Sequence, residues 1–206
     1  MATPKHDVGV QEAHDHIDYS QRSQWLRAAV LGANDGLITV ASLMMGVGAV
    51  KEDVKAMFLI GFAGLIAGAC SMAIGEFVSV YSQLDIEVSQ MKRDKLSMRE
   101  MSEVVTMEKD EKLPNPVQAA LASALAFSLG AIVPLLAAAF IGSYKVRLVV
   151  VSAAVSLALV IFGIVGAVLG GSSPANSCVR GLFGGWMAMG ITFGLTKLIG
   201  SKGLAM

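Results

Sequence analysis

Apolar residues fill five long runs of this chain, and polar residues gather in the gaps between them. The runs are Trp25 to Val50, Lys55 to about Tyr81, Val117 to Ile141, Arg147 to about Gly170 and Cys178 to Ile199. Each exceeds the roughly 20 residues that a helix needs to cross a bilayer, and apolar runs of that length argue helix over strand. The gaps carry turn chemistry: Lys51-Glu52-Asp53, Leu113-Pro114-Asn115-Pro116, Gly142-Ser143-Tyr144-Lys145 and the GGSSPANS stretch from Gly170 to Ser177. The pattern predicts an all-α membrane protein with five transmembrane helices. An odd number of crossings puts the two termini on opposite sides.

Two segments stand outside the runs. Residues 1–22 read as a disordered polar tail, and residues 82–116 as a short helical loop between the second and third spans. In that loop Leu84, Val88, Met91, Met98, Met101 and Val105 fall near helical spacing, with acids and bases mixed over the rest, as on a solvated face. The tail contains His6, His14 and His16 near Asp15 and Asp18; a terminal tail with incidental histidines is the plainer reading. No apolar core precedes Trp25 as a cleavable signal would require, so the first span is expected to direct insertion.

Composition agrees with a membrane bundle. Charged residues make up 16% of the chain, against about 25% in soluble domains. Net charge is zero, which gives nucleic acid no electrostatic footprint. Cys70 and Cys178 both fall within or beside apolar segments, so no disulfide framework is expected. Lysine and arginine set the orientation. Lys5, Arg22, Arg27, Lys92, Arg93, Lys95, Arg99, Lys109, Lys112 and Arg180 would lie on one side, outnumbering Lys51, Lys55, Lys145, Arg147, Lys197 and Lys202 on the other. The N-terminus and the long loop are therefore expected in the cytosol. The chain has no His-rich membrane motif, no nucleophile beside a base and no phosphate loop, so an enzyme is not expected.

Two carboxylates change the picture. Asp35 lies within the first run and Glu76 within the second. An ionisable group at that depth costs roughly 3 kcal/mol on insertion scales, and such residues usually mark ion or proton paths. A carboxylate there must be paired, protonated or solvated. For Asp35 the chain offers Arg27, two turns earlier, and Thr39, one turn later, as a hydroxyl donor. Gly64, Gly68, Met72 and Glu76 are each four apart and share one stripe of the second helix. Its glycines, like Gly32 and Gly36 in the first span and Gly181, Gly185, Gly190 and Gly194 in the fifth, permit close helix approach. Carboxylate oxygen with a thioether leans toward a first-row transition metal, with ferrous iron a natural candidate. Methionine is also common core filler, and Met72 alone reads first as packing. The tripeptide Asn34-Asp35-Gly36 leaves two readings open: a local unwinding that frees carbonyls for an ion, or an unbroken helix with Gly36 at a packing contact. Pro134 is expected to kink the third span.

These residues carry a family resemblance. NDGLITVASLMMGVGA (34–49), AGLIAGACSMAIGEFVSVYSQLD (63–85) and GLFGGWMAMGITFGLTKLIG (181–200) together resemble the vacuolar iron transporter family, the last segment its plant nodulin-like branch. The similarity runs from Ser23 to Gly200. It implies a proton-coupled exporter of ferrous iron, and sometimes manganese, from cytosol into the vacuole. It also implies five-helix protomers paired as a homodimer, with the ion path at their interface and no bound cofactor. Asp35 and Met72 match the family's aspartate and methionine of metal passage.

Two departures stand out. Better-studied plant and parasite members carry a glutamate where this chain has Gly64, and a glycine where it has Glu76, so Glu76 is expected to supply that charge from the other side of Met72. The family's long metal-binding domain is reduced here to 82–116, where Asp85 and Glu87 are the best remaining ligand candidates. The expected protein sits in the vacuole membrane with its N-terminus cytosolic and C-terminus lumenal. The competing readings are a manganese or other divalent-cation transporter of the same fold, and a membrane interaction protein that transports nothing.

Overall fold

The computed structural model describes residues 6–101 and 115–203. They form five helices: α1 (His6–Gly48), α2 (Val54–Met101), α3 (Pro116–Ala139), α4 (Tyr144–Leu169) and α5 (Pro174–Gly203). Each contains a stretch long and apolar enough to cross a membrane: Trp25–Gly48, Val54–Arg93, Pro116–Ala139, Tyr144–Leu169 and Pro174–Ser201. No strand occurs among the described residues. The five expected spans are thus all present, with ends shifted by at most four residues except that of the second, which runs on from Tyr81 to Arg93.

Two helices outrun their spans. α1 is helical from His6, where the sequence suggested a disordered tail. Between His6 and Arg27 there is no proline and a single glycine, Gly9; once a helix is nucleated, each added residue contributes a hydrogen bond with no new nucleation cost. α2 likewise does not stop at Tyr81 but continues to Met101, through a stretch without glycine or proline. The first part of the expected loop is therefore an extension of α2 rather than a separate helix; residues 102–114 lie outside the described residues. At 1.5 Å per residue the 48 residues of α2 span about 72 Å, against a hydrocarbon core of about 30 Å. The C-terminal part of α2 must project from the bilayer.

The helix ends follow the local chemistry. The Asp53 carboxylate accepts hydrogen bonds from the amides of Lys55 (3.1 Å) and Ala56 (3.3 Å) and starts α2. Asn115 does the same for α3 from Val117 (3.1 Å) and Gln118 (3.3 Å), with Pro116 as the first helical residue. After α4, Gly171 takes a positive φ of 64°, and Ser172 N–H reaches back to the carbonyl of Ala167 at 2.9 Å.

α1 is the central helix and touches all four others. Its Leu37, Val40, Ala41 and Met44 are fully buried against Phe127, Ala131 and Leu135 of α3, Met57 of α2, Val151, Val155 and Leu159 of α4 and Met189 of α5. The α1–α3 contact is backbone on backbone. A Cβ added at Gly36 would fall on the Phe127 carbonyl, one at Gly130 on the Ala33 carbonyl, and one at Gly32 would lie 2.5 Å from the Ser123 carbonyl oxygen. Gly36 is therefore a packing residue, and the helix runs through Asn34-Asp35-Gly36 without a break. Pro134 is buried inside α3, which continues to Ala139. In lipid, where apolar burial drives helices together weakly, such close approach is what holds them.

Arg147, expected as the flanking charge at the start of the fourth span, is 0% exposed. Its guanidinium donates to the carbonyls of Glu52 (2.8 Å) and Ile141 (3.2 Å), tying the α1–α2 and α3–α4 connections to the start of α4. Tyr144 lies beneath it, 6.0 Å from ring centre to guanidinium.

Gly36→Ala should destabilise the protein by about 1–3 kcal/mol through overpacking. Gly75→Ala, where an added Cβ meets nothing within 4 Å, should be neutral or stabilising by up to about 1 kcal/mol. Thermal unfolding of both variants in detergent checks the contrast.

Candidate functional site

Asp35 sits on α1 beside the glycine that packs on α3. Gly32 and Gly36 face α3, whereas Asp35 shares a stripe with Leu31 and Thr39, each four residues away. Leu31 is exposed, and Asp35 and Thr39 are half-buried, so this stripe lies on the open side of α1. Asp35 Oδ1 accepts a hydrogen bond from Thr39 Oγ1 at 3.0 Å. That donor is neutral and brings no countercharge to the carboxyl group. Among the described residues, no cation lies within ion-pair distance of Asp35.

Arg27 instead reaches α2. Its Nη2 lies 3.7 Å from Glu76 Oε1. This is within ion-pair range but too long for a hydrogen bond, and Oε1 is sealed from solvent with no hydrogen-bond partner. The pair is lopsided: the Glu76 side chain is 10% exposed and that of Arg27 59%.

The contacts between α1 and α2 set an antiparallel register. Gly48 meets Met57, Met44 meets Gly61, Leu43 meets Gly64, and the series ends at Arg27 with Glu76. In this register Asp35 is level with Cys70. Met72, half-buried against the core, lies between the levels of Asp35 and Glu76. The six residues from level 70 to Glu76 correspond to about 9 Å along the axis at 1.5 Å per residue. The three predicted residues thus form an ascending series, Glu76, Met72, Asp35, rather than one closed centre. Among the described residues, no three His, Cys, Asp or Glu side chains converge to hold a metal. Side chains spaced along the helix pair in this way can each meet an ion singly but cannot enclose one together.

The other candidates are apart from this series. Gly64 packs against Leu43 and Gly68 against the Phe127 ring, so the upper part of the α2 stripe is contact surface, as expected from its glycines. Asp85 and Glu87 project from the α2 extension. Two residues apart on an unbroken helix, they point about 200° from each other and do not face a common ion. Asp85 lines a shallow groove with Ile86, Ser89, Gln90 and Arg93. The partnership of Arg27 with Glu76 was not anticipated; the sequence offered Arg27 to Asp35. Its signal was the antiparallel register, in which residue 27 pairs near 76.

Four membrane-length helices around a central fifth, with two carboxylates inside the membrane zone, define a polytopic membrane protein. The chain belongs to the VIT family, whose model matches residues 26–111 and 94–197. It is 68% identical over 188 residues to vacuolar iron transporter homolog 4 of Arabidopsis thaliana, covering 91% of this chain and 90% of that protein. It is 60% identical over 200 residues to VIT-like transporter 1b of Glycine max, covering 97% and 87% respectively. Vacuolar iron transporter homolog 5 of Oryza sativa subsp. japonica is 57% identical over 190 residues, 92% of this chain and 88% of that protein. These relatives are transporters by name, not enzymes.

Met72→Leu preserves volume and should cost less than about 1.5 kcal/mol in stability. If the thioether is a ligand, the same change should weaken Mn2+ and Co2+ binding severalfold in equilibrium dialysis. If it only fills space, binding will stay as in the parent.

Proposed function

We propose that this chain is a secondary transporter that moves ferrous iron from the cytosol into the vacuole in exchange for protons, contributing to cellular iron homeostasis. The observation that carries the reading is Asp35: a carboxylate in the membrane zone, on the open side of the central helix, held only by the Thr39 hydroxyl among the described residues. Fixed glue between helices would be paired or sealed; Asp35 is neither. The names of the relatives supply the cargo, and the carboxylate–thioether series is chemically suited to it. Manganese is the second cargo, because oxygen donors suit it as well.

Antiport follows from ligand chemistry. A carboxylate binds metal only when deprotonated, so metal binding releases protons and proton binding releases metal. On this reading Glu76 receives the ion, Met72 passes it and Asp35 holds it deepest. The N-terminus lies in the cytosol and the C-terminus in the lumen. With Arg147 buried, the mobile positive charge on the lumenal side is smaller still, which favours this orientation. A homodimer in the vacuole membrane completes the picture. The open stripe at Asp35 needs a cover other than lipid, and Gly181, Gly184, Gly190 and Gly194 of α5 are free of contacts within 4 Å, leaving room for a second copy.

Vesicles containing the purified protein should take up Fe2+ when a proton gradient is imposed, and Asp35→Asn should abolish uptake while retaining the thermal stability of the parent. Uptake of Mn2+ alone would change the cargo and keep the mechanism. Uptake undiminished in Asp35→Asn would remove Asp35 from the path, and no uptake of either metal by folded, inserted protein would favour the interaction-protein reading.

A further inference from the structure

We infer that Arg27 is a tethered cation that occupies the cytosolic-side carboxylate Glu76 until an arriving divalent metal displaces it. This makes Arg27 a positioning residue that sets the threshold for metal admission. The inference rests on the transport reading above.

Three observations carry it. First, the Glu76 side chain is nine-tenths buried, and its Oε1 has no hydrogen-bond donor. A sealed carboxylate oxygen without a donor bears an uncompensated desolvation cost, and a cation is what relieves it. Second, the only cation near it among the described residues, Arg27, stands 3.7 Å away. A guanidinium built to stabilise a carboxylate normally closes to about 2.7–2.9 Å, often through two parallel bonds; this one does neither. Third, Arg27 is 59% exposed, so its guanidinium can be rehydrated in solvent when a metal takes its place beside Glu76. Neutralisation by a group so loosely held is reversible by construction.

The position fits the role. In the antiparallel register, Glu76 is the member of the series farthest from Asp35, and Arg27 is the α1 residue opposite it. An ion coming from that end meets Glu76 before Met72. With Arg27 in place the carboxylate repels anions less and attracts stray monovalent cations less. A divalent ion, carrying twice the charge of the guanidinium, competes for the same oxygen on better terms than a monovalent one. Arg27 would thereby discriminate by charge at a place where the chain has few ligands to discriminate by geometry.

The test is Mn2+ binding to the full-length protein in detergent, read by electron paramagnetic resonance of the free ion. Arg27→Gln should tighten binding about fivefold, the equivalent of losing a competing half-exposed ion pair, and any loss of thermal stability in the metal-free variant should be recovered when Mn2+ is added. Arg27→Lys, which keeps the charge, should bind like the parent. Glu76→Gln should weaken binding, and adding Arg27→Gln to it should then have no effect. A purely structural pair predicts instead an unchanged Kd and a lowered melting temperature that Mn2+ does not restore in Arg27→Gln, which would overturn the inference, as would tightening that persists in the Glu76→Gln background. A parent that binds neither Mn2+ nor, under anaerobic conditions, Fe2+ would remove the transport reading itself, and this inference with it.

Discussion

The backbone contact between α1 and α3 is the constraint on which the rest of the structure depends. Gly32 and Gly36 on one helix and Gly130 on the other bring carbonyls and Cα atoms together with no room for a side chain between them. That contact makes α1 the axis of the bundle and fixes its rotation. Once Gly36 is turned toward Phe127, its neighbour Asp35 has no choice but the open side. The carboxylate is placed by what packs beside it, not by a partner that attracts it.

Charge inside the bundle is handled in three different ways. Arg147 is fully buried and bonded to two loop carbonyls, a structural clamp across the ends of four helices. Asp35 receives one hydrogen bond from a neutral hydroxyl and has no cation beside it among the described residues. Glu76 is sealed but only loosely countered by an exposed arginine. The first arrangement is built to stay, since removing either side would strand a buried donor or charge. The other two leave capacity unused, and both lie along the same helix pair. The Arg147 clamp holds one end of the α1–α2 unit, and the weakly satisfied carboxylates lie toward the other, with the packing glycines Gly32 and Gly36 on either side of Asp35.

The five spans were legible because lipid demands long apolar helices, and turn residues such as Asp53, Asn115 and Gly171 mark where those helices start or stop. The extents of α1 and α2 were not, because a polar helix that continues an apolar one has no stop signal to read: 82–101 lacks both glycine and proline. Asp35, Met72 and Glu76 could be singled out as types in unusual places, and Thr39 as the hydroxyl one turn from Asp35. Whether Gly36 broke the helix could not be read, since a glycine serves a bend and a close contact equally well. The burial of Arg147 and the reach of Arg27 to Glu76 also lay beyond the sequence, because both depend on contacts between residues 49 and 95 positions apart. The glycines of α5 show the converse: their spacing promised close packing, yet only Gly185 meets a neighbouring helix in that stretch.

The central claim is that a divalent ion travels beside α1 and α2, past Glu76, Met72 and Asp35. Its most direct test is a structure of the protein saturated with Mn2+, with the metal located by its anomalous scattering. The account expects a peak within the membrane zone on the open side of α1, ligated by Asp35 or Met72. Metal found only on the α2 extension around Asp85 and Glu87, with none beside Asp35 or Met72 at saturation, would contradict it.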